Sequence, residues 1–283
     1  MKKICSLILA LCLLAALPAM AADYSDIFTD YDLRASWTAA VIITFGENGV
    51  EINGSGAAAD GNTVRITEKG TYLVSGECEN GQILVEVDKE DKVQLVLSGL
   101  TLTCADSAPI YVISADKVSL TLAPDTVNTL TDGAAYTREF EHMPNACIYS
   151  RDDLTINGAG ALIVNGNYNN GIGTKNDLKI VGGEITVTAK KNALKGNDSV
   201  AICGGSITLN AGKDAIKAEN EDEEGKGYVY IAGGALDITA GDDAIQAQQD
   251  VTVTGGTILV SARGKIINSK GTQDVDAGVI TKK

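Results

Sequence analysis

The sequence predicts an all-β fold, a right-handed parallel β-helix built as a solenoid of roughly 22-residue coils behind a strand-rich N-terminal cap. Three observations predict it. The first is a repeat: with Ile148, Ile172, Leu194, Ile216, Ile245 and Ile266 as anchors, the intervals are 24, 22, 22, 29 and 21 residues, and the 29 is 22 plus an insertion. The second is a set of apolar pairs at fixed offsets, Leu154/Ile156, Leu178/Ile180, Val200/Ile202, Val229/Ile231 and Val251/Val253, in the period-two spacing of strands. The third is the glycine turn after each pair, at Gly158, Gly182-Gly183, Gly204-Gly205, Gly233-Gly234 and Gly255-Gly256, ahead of another alternating run such as Ile185-Val187-Ala189. A unit with one apolar face per strand cannot bury that face alone, so units stack. Coils then lie about 4.8 Å apart, and equivalent positions of successive repeats become columns on the surface. A propeller needs about 40 residues per repeat and a leucine-rich horseshoe its Leu/Asn signature, and neither is present.

In chain order, residues 1–21 carry two lysines, an apolar run from Ile4 to Leu17 and the small-x-small site Ala19-Met20-Ala21, which is the pattern of a secretory signal peptide. This puts the mature chain outside a bacterial cell, free or held at the cell surface. No second long apolar run follows, so no membrane span is expected. Loss of Lys2 and Lys3 takes the net charge from −14 to −16. So acidic a surface argues against nucleic acid and anionic membranes and suits divalent cations. Residues 22–80 form a looser lead-in, with Val41-Ile42-Ile43, Val50/Ile52, Val64/Ile66 and Tyr72-Leu73-Val74 set between Gly, Asn and Asp turns. This segment is expected to cover the first coil, whose edge would otherwise be unpaired. Residues 81–283 form the helix domain proper, with coils starting near Ile83 and a longer excursion from Pro124 to Pro144 that holds the single histidine, His142. The end after Ile266 reads as an incomplete coil.

Four cysteines follow the signal segment: Cys78, Cys104, Cys147 and Cys203. Export permits a Cys78–Cys104 bridge between adjacent coils, while the alternative, which we prefer, is that all four are small buried apolar side chains. No cysteine or histidine spacing fits zinc, and one histidine leaves no Ser/His/Asp or Cys/His nucleophile set.

The column two residues before the anchors carries Asn170, Asn192, Asp214 and Asp243, each followed by Gly or Ala. Asn and Asp at such positions satisfy turn backbone, and this is the reading for the asparagines. The aspartates differ, because Asp214 and Asp243 fall on neighbouring coils with Asp242 beside them. Carboxylates at that spacing repel unless a cation or proton intervenes, and oxygen ligands converging on a hard cation describe a calcium site. One residue after the anchors stand Lys195 and Lys217, flanked by Lys191 and Lys213. They form either a solvated, charge-balanced face or a groove for an anionic sugar. The insertion Glu219 to Gly227 reads as a solvated acidic loop, with Glu219 or Asp222 as further ligand candidates.

The strings GTYLVSGE (Gly70 to Glu77), NACIYSRDDLTINGAGALIVNGNYNNGI (Asn145 to Ile172) and DAIKAENEDEEGKGYVYIAGGALDITAGDDAIQA (Asp214 to Ala247), with FTDYDL from Phe28, resemble the clostridial carbohydrate-binding β-helix family, itself similar to family-nine polysaccharide lyases. The resemblance implies a secreted right-handed parallel β-helix that binds calcium and plant-type polysaccharides such as pectic acid and cellulose. The related lyases place Asp-Asp-Gly-x-Asp on one coil and another Asp on the coil before, around calcium, with a lysine as base. Here Asp242-Asp243-Ala244-Ile245-Gln246 keeps two acids of that motif, and Asp214 matches the preceding acid. Lys217 and Lys265 are the candidates for the base, although the sequence shows no dry pocket of the kind a lysine base requires. The leading expectation is a non-catalytic carbohydrate-binding protein for a uronic-acid polymer, assisted by calcium. The alternatives are a calcium-dependent pectate lyase acting by β-elimination and a structural adhesion protein, the last favoured by the scarcity of aromatic platforms.

Overall fold

The computed structural model describes residues 27–283, so the signal segment at residues 1–21 lies outside the described residues. One helix, Asp30–Leu33, is present among them, and nearly all the rest is strand and turn. Each repeat supplies three short strands, as in Asn170–Thr174, Asp177–Ile180 and Glu184–Ala189. Each of these pairs in parallel with its equivalent in the next repeat, giving three ladders. The ladder of anchor strands is a separate ten-stranded sheet. The other two ladders join into an eighteen-stranded sheet through one long strand, Lys92–Cys104, which pairs with Lys117–Leu122 in the second ladder and Val127–Asp132 in the third.

The anchor register runs Ile148↔Ile172↔Leu194↔Ile216↔Ile245↔Ile267. The last anchor is therefore Ile267, not Ile266, and the true interval is 22 rather than 21. A slip of one residue reverses which side chains face outward. Parallel pairing also begins one repeat earlier than Ile83, with Val64↔Ile83 in the anchor ladder and Val41↔Tyr72 in the second. The antiparallel strands Gly49–Asn53 and Ala57–Asp60 lie at that end, each paired to the first parallel strand of its ladder.

Inward side chains of all three ladders form one core, because alternation sends every second residue of each strand the same way. Ile172, Leu194 and Ile216 from the anchor ladder, Leu178 and Val200 from the second, and Val187 and Leu209 from the third are all fully buried. The turns between second and third ladders explain the glycine pairs. Gly183, Gly205, Gly234 and Gly256 stack with φ of +99°, +95°, +94° and +95°, a conformation that costs an L side chain about 1–2 kcal/mol. A Cβ on Gly205 would also lie 3.0 Å from the carbonyl oxygen of Gly183 in the repeat below. Gly205→Ala is accordingly expected to lower stability by about 1–2 kcal/mol, measured as a shift in the denaturant midpoint at unchanged slope.

The four thiols are free, with Cys78, Cys104 and Cys147 buried and Cys203 partly so. Cys78 aligns with Leu102, two residues short of Cys104, so the two side chains are not register neighbours. The excursion after Pro124 is not wholly outside the repeat: Val127–Asp132 is a regular third-ladder strand. Only the part beyond it leaves the ladders, folding over the outer face of the anchor ladder. There Phe140 meets Tyr111 edge to face at 5.1 Å, and Tyr111 Oη donates to the His142 carbonyl at 2.6 Å.

Residues 28–36 lie across the outer face of the second ladder as a strap. Thr29 caps the short helix in a capping box with Asp32. Asp32 is fully buried, 2.8 Å from Lys117 Nζ and 3.4 Å from Lys179 Nζ, and accepts from Thr155 Oγ1 at 2.5 Å. Asn157 Nδ2 donates to the carbonyls of Asp32 and Arg34, and Gln94 reaches Ser36. No helix among the described residues is long and apolar enough to cross a membrane.

Candidate functional site

Outward positions of the anchor ladder form columns fixed by the register. Two residues before each anchor stand Ala146, Asn170, Asn192, Asp214, Asp243 and Lys265. From Asn170 onward each side-chain Oδ1 accepts the backbone N–H of the next residue in the column. The distances are 3.3 Å to Asn192 N, 3.3 Å from Asn192 Oδ1 to Asp214 N, 3.2 Å from Asp214 to Asp243 N and 2.7 Å from Asp243 to Lys265 N. This side-chain ladder closes the turn before every anchor strand and accounts for the burial of its members, each under 8% exposed from Asn170 to Asp243.

An asparagine completes that ladder with one oxygen, whereas an aspartate brings a second oxygen and a charge. Asp214 and Asp243, with exposed Asp242 beside them, have carboxylate oxygens that lie within 4.8 Å of one another. Asp214 Oδ2 is 3.4 Å from Lys217 Nζ, and Asp243 Oδ2 accepts from Asn268 Nδ2 at 2.6 Å. Gly264 forms the wall of this cluster: a Cβ there would fall 2.4 Å from Asp243 Oδ1 and 2.8 Å from Asp242 Oδ1. Gln246, one repeat beyond Lys217 in the same column, has its Oε1 buried with no hydrogen-bond partner among the described residues. Three carboxylates and a glycine clearing space form an all-oxygen donor set suited to a hard cation.

One residue after the anchors the column runs Tyr111, Tyr149, Gly173, Lys195, Lys217, Gln246 and Asn268. Lys195 Nζ pairs with Glu219 at 2.5 Å, so Glu219 engages a lysine and is not part of the acidic cluster. Lys191 and Lys213 are exposed, and through Lys213 N to the Lys191 carbonyl and Asp242 N to the Lys213 carbonyl they share one column with Asp242. The acidic insertion is tied down around buried Asn220, whose Oδ1 accepts from Asp222 N and Glu223 N at 3.1 Å each. Asp222 is likewise outside the cluster.

Lys265 sits at the end of the aspartate column, exposed, with Nζ 3.0 Å from Asn268 Oδ1. Asn268 and Gly264 escaped the sequence reading because the last anchor was set one residue early. Adding 22 to Ile245 gives Ile267 and puts Asn268 level with Lys217 and Gln246. The Tyr111 and Tyr149 rings on the same column were also missed, for the anchors there were read only for their apolar residues.

Residues 60–282 match the family described as carbohydrate-binding domain-containing protein. A protein of that description from Acetivibrio thermocellus is 49% identical over 234 residues, 81% of each chain. A solved structure described as the polysaccharide lyase-like protein from C. thermocellum, gadolinium derivative, superposes with a TM-score of 0.84 at 47% identity, covering 86% of this chain and 99% of that one. On this match in sequence and structure, the chain belongs to the carbohydrate-binding domain-containing protein family.

Proposed function

We propose that this protein is an exported right-handed parallel β-helix that binds an acidic polysaccharide of uronic-acid type, with calcium held by Asp214, Asp242 and Asp243, and leaves the polymer uncut. In this reading residues 1–21 direct export, 22–80 form the lead-in and cap, and 81–283 form the binding domain. The carrying observation is the cluster of three carboxylates within 4.8 Å on the outer face of the anchor ladder, with Lys217 3.4 Å from one of them. Calcium bound there would neutralise the cluster and offer a positive centre to sugar carboxylates. Lys195 and Lys217, with the exposed Lys191 and Lys213, would carry further carboxylates along the same face.

A lyase reading needs a lysine free to take a proton in a dry site. Lys217 is ion-paired to Asp214 with its side chain 25% exposed, and Lys265 is exposed against Asn268, so neither candidate is arranged as a base. Calorimetric titration of calcium into chelator-stripped protein, alone and with polygalacturonate, tests the proposal. Calcium binding that strengthens polymer binding is expected, with loss in Asp214→Ala and weakening in Lys217→Ala. Polymer binding unchanged in both variants would remove the assigned site. Unsaturated products absorbing in the ultraviolet would replace the non-catalytic reading with β-elimination.

A further inference from the structure

The column of Tyr149, Gly173, Lys195 and Lys217 does not end in flat surface. At its Tyr149 end a cavity of about 640 Å³ opens between the anchor ladder and the excursion, its rim including His142, Met143, Arg151 and Lys175. Tyr149 is 3% exposed, packed against Tyr111 with ring centroids 5.7 Å apart, so its ring is a fixed floor. The opposite wall is fixed by the bond from Tyr111 Oη to the His142 carbonyl. Gly173 leaves the floor open toward Lys195, since even a Cβ there would lie 3.0 Å from Ala146 Cβ and 3.5 Å from Tyr149 Cδ2.

The charge in this cavity is uncompensated. Arg151 and Lys175 occupy equivalent positions on adjacent repeats, Arg151 N bonding to the Val112 carbonyl and Lys175 N to that of Ser150. Neither has an acid within ion-pair distance among the described residues, and the hydrogen bond given by the Arg151 guanidinium is a long one, 3.5 Å to the Ile113 carbonyl. Glu141, also on the rim, is 91% exposed and lies 3.7 Å from His142. In a chain with 37 acidic and 23 basic residues, two neighbouring cations without an acid in ion-pair contact, beside a buried aromatic ring, select for an anion. A guanidinium fork fits a carboxylate in two-point contact.

We infer that the Tyr149/Arg151/Lys175 cavity is a second carboxylate subsite for the same acidic polysaccharide, remote from the aspartate cluster on one continuous strip. The inference rests on the uronic-acid reading above. Lys175 lies two repeats from Asp214 and Arg151 four from Asp243, roughly 10 and 19 Å at strand spacing. One extended oligosaccharide reaches both ends while a short one does not.

The test is calorimetry with tri- and hexagalacturonate at fixed calcium, on the full chain, for wild type, Arg151→Gln, Lys175→Gln and Lys175→Arg. Lys190→Gln serves as a charge control, Lys190 being exposed with no ion pair among the described residues. Wild type is expected to bind the hexamer more tightly than the trimer. Arg151→Gln and Lys175→Gln lose about tenfold of hexamer affinity, as one charge-assisted contact is worth, and Lys175→Arg and Lys190→Gln keep it. Hexamer affinity unchanged in both Gln variants, or lost equally in Lys190→Gln, overturns the subsite while leaving the uronic-acid reading intact. Wild type that binds neither oligomer overturns both.

Discussion

Asp32→Ala is expected to lower the stability of the folded chain by about 3–5 kcal/mol, the usual cost of removing one member of a buried ion pair. The reason lies in what remains. Lys117 and Lys179 are 6% and 7% exposed, and Asp32 is the acid within 3.5 Å of both ammonium groups. Without it two like charges stay buried two strands apart, Lys117 keeping only Asp153 at 3.7 Å, and Thr155 Oγ1 and the Thr29 backbone lose their acceptor. The acid limb of the stability curve carries the same signature. Burial alone would raise the Asp32 carboxyl, but hydrogen bonds from Lys117, Thr155 and Thr29 and the charge of Lys179 outweigh it and hold the group far below the usual carboxylate range. A depressed folded-state pKa means that the unfolded chain binds the proton first. The stabilisation is therefore complete above the unfolded value near 3.9 and is lost as pH falls below it toward the folded value. Asp153, raised by burial and by Asp177, works in the opposite direction, and its window lies above the unfolded carboxylate value, so it does not overlap the limb set by Asp32. Urea titrations at pH 7 and pH 3 should show a smaller loss on acidification for Asp32→Ala than for wild type. A change under about 1 kcal/mol at pH 7 would mean that the strap is held by its other contacts.

That latch shows where the sequence stops being informative. The period near 22, the apolar offsets and the glycine turns were legible because each is a local pattern repeated five times, and the pairing of Leu154 with Leu178 and of Leu178 with Val200 follows from them. The ladder role of Asn170 and Asn192 was legible for the same reason. Asp32 was not, because its partners are 85 and 147 residues away and outside any period. The Tyr111/Phe140 contact escaped likewise, since the excursion that makes it belongs to no repeat. The site was lost in part to arithmetic: setting the last anchor at Ile266 turned Asn268 and Gly264 out of their columns, although the 22-residue spacing shared by Leu194 and Ile216 already pointed to Ile267. A short terminal strand with partly exposed residues offers little apolar pattern to correct such a slip.

Asp214→Asn separates the two roles that one column position combines. Asn192 does the ladder's work with an amide, its Oδ1 3.3 Å from the next backbone N–H. An asparagine at 214 therefore keeps the bond to Asp243 N, now 3.2 Å, and removes only the charge and the Lys217 contact at 3.4 Å. In chelator, three carboxylates within 4.8 Å repel one another, so this variant is expected to be as stable as wild type or up to about 1 kcal/mol more stable. With calcium the order reverses. Wild type gains about 2.7 kcal/mol at a calcium concentration one hundred times its dissociation constant, because the ion binds the folded chain alone, and Asp214→Asn gains little. Asp214→Ala differs in the chelator arm, where it loses the ladder bond and leaves a buried N–H unpaired at a cost of about 1–3 kcal/mol. Denaturation midpoints for the three proteins with and without calcium read all of this. Equal stability of wild type in both buffers would leave Asp214 as a turn residue with a superfluous charge. A calcium gain retained in Asp214→Asn would move the ion to other ligands.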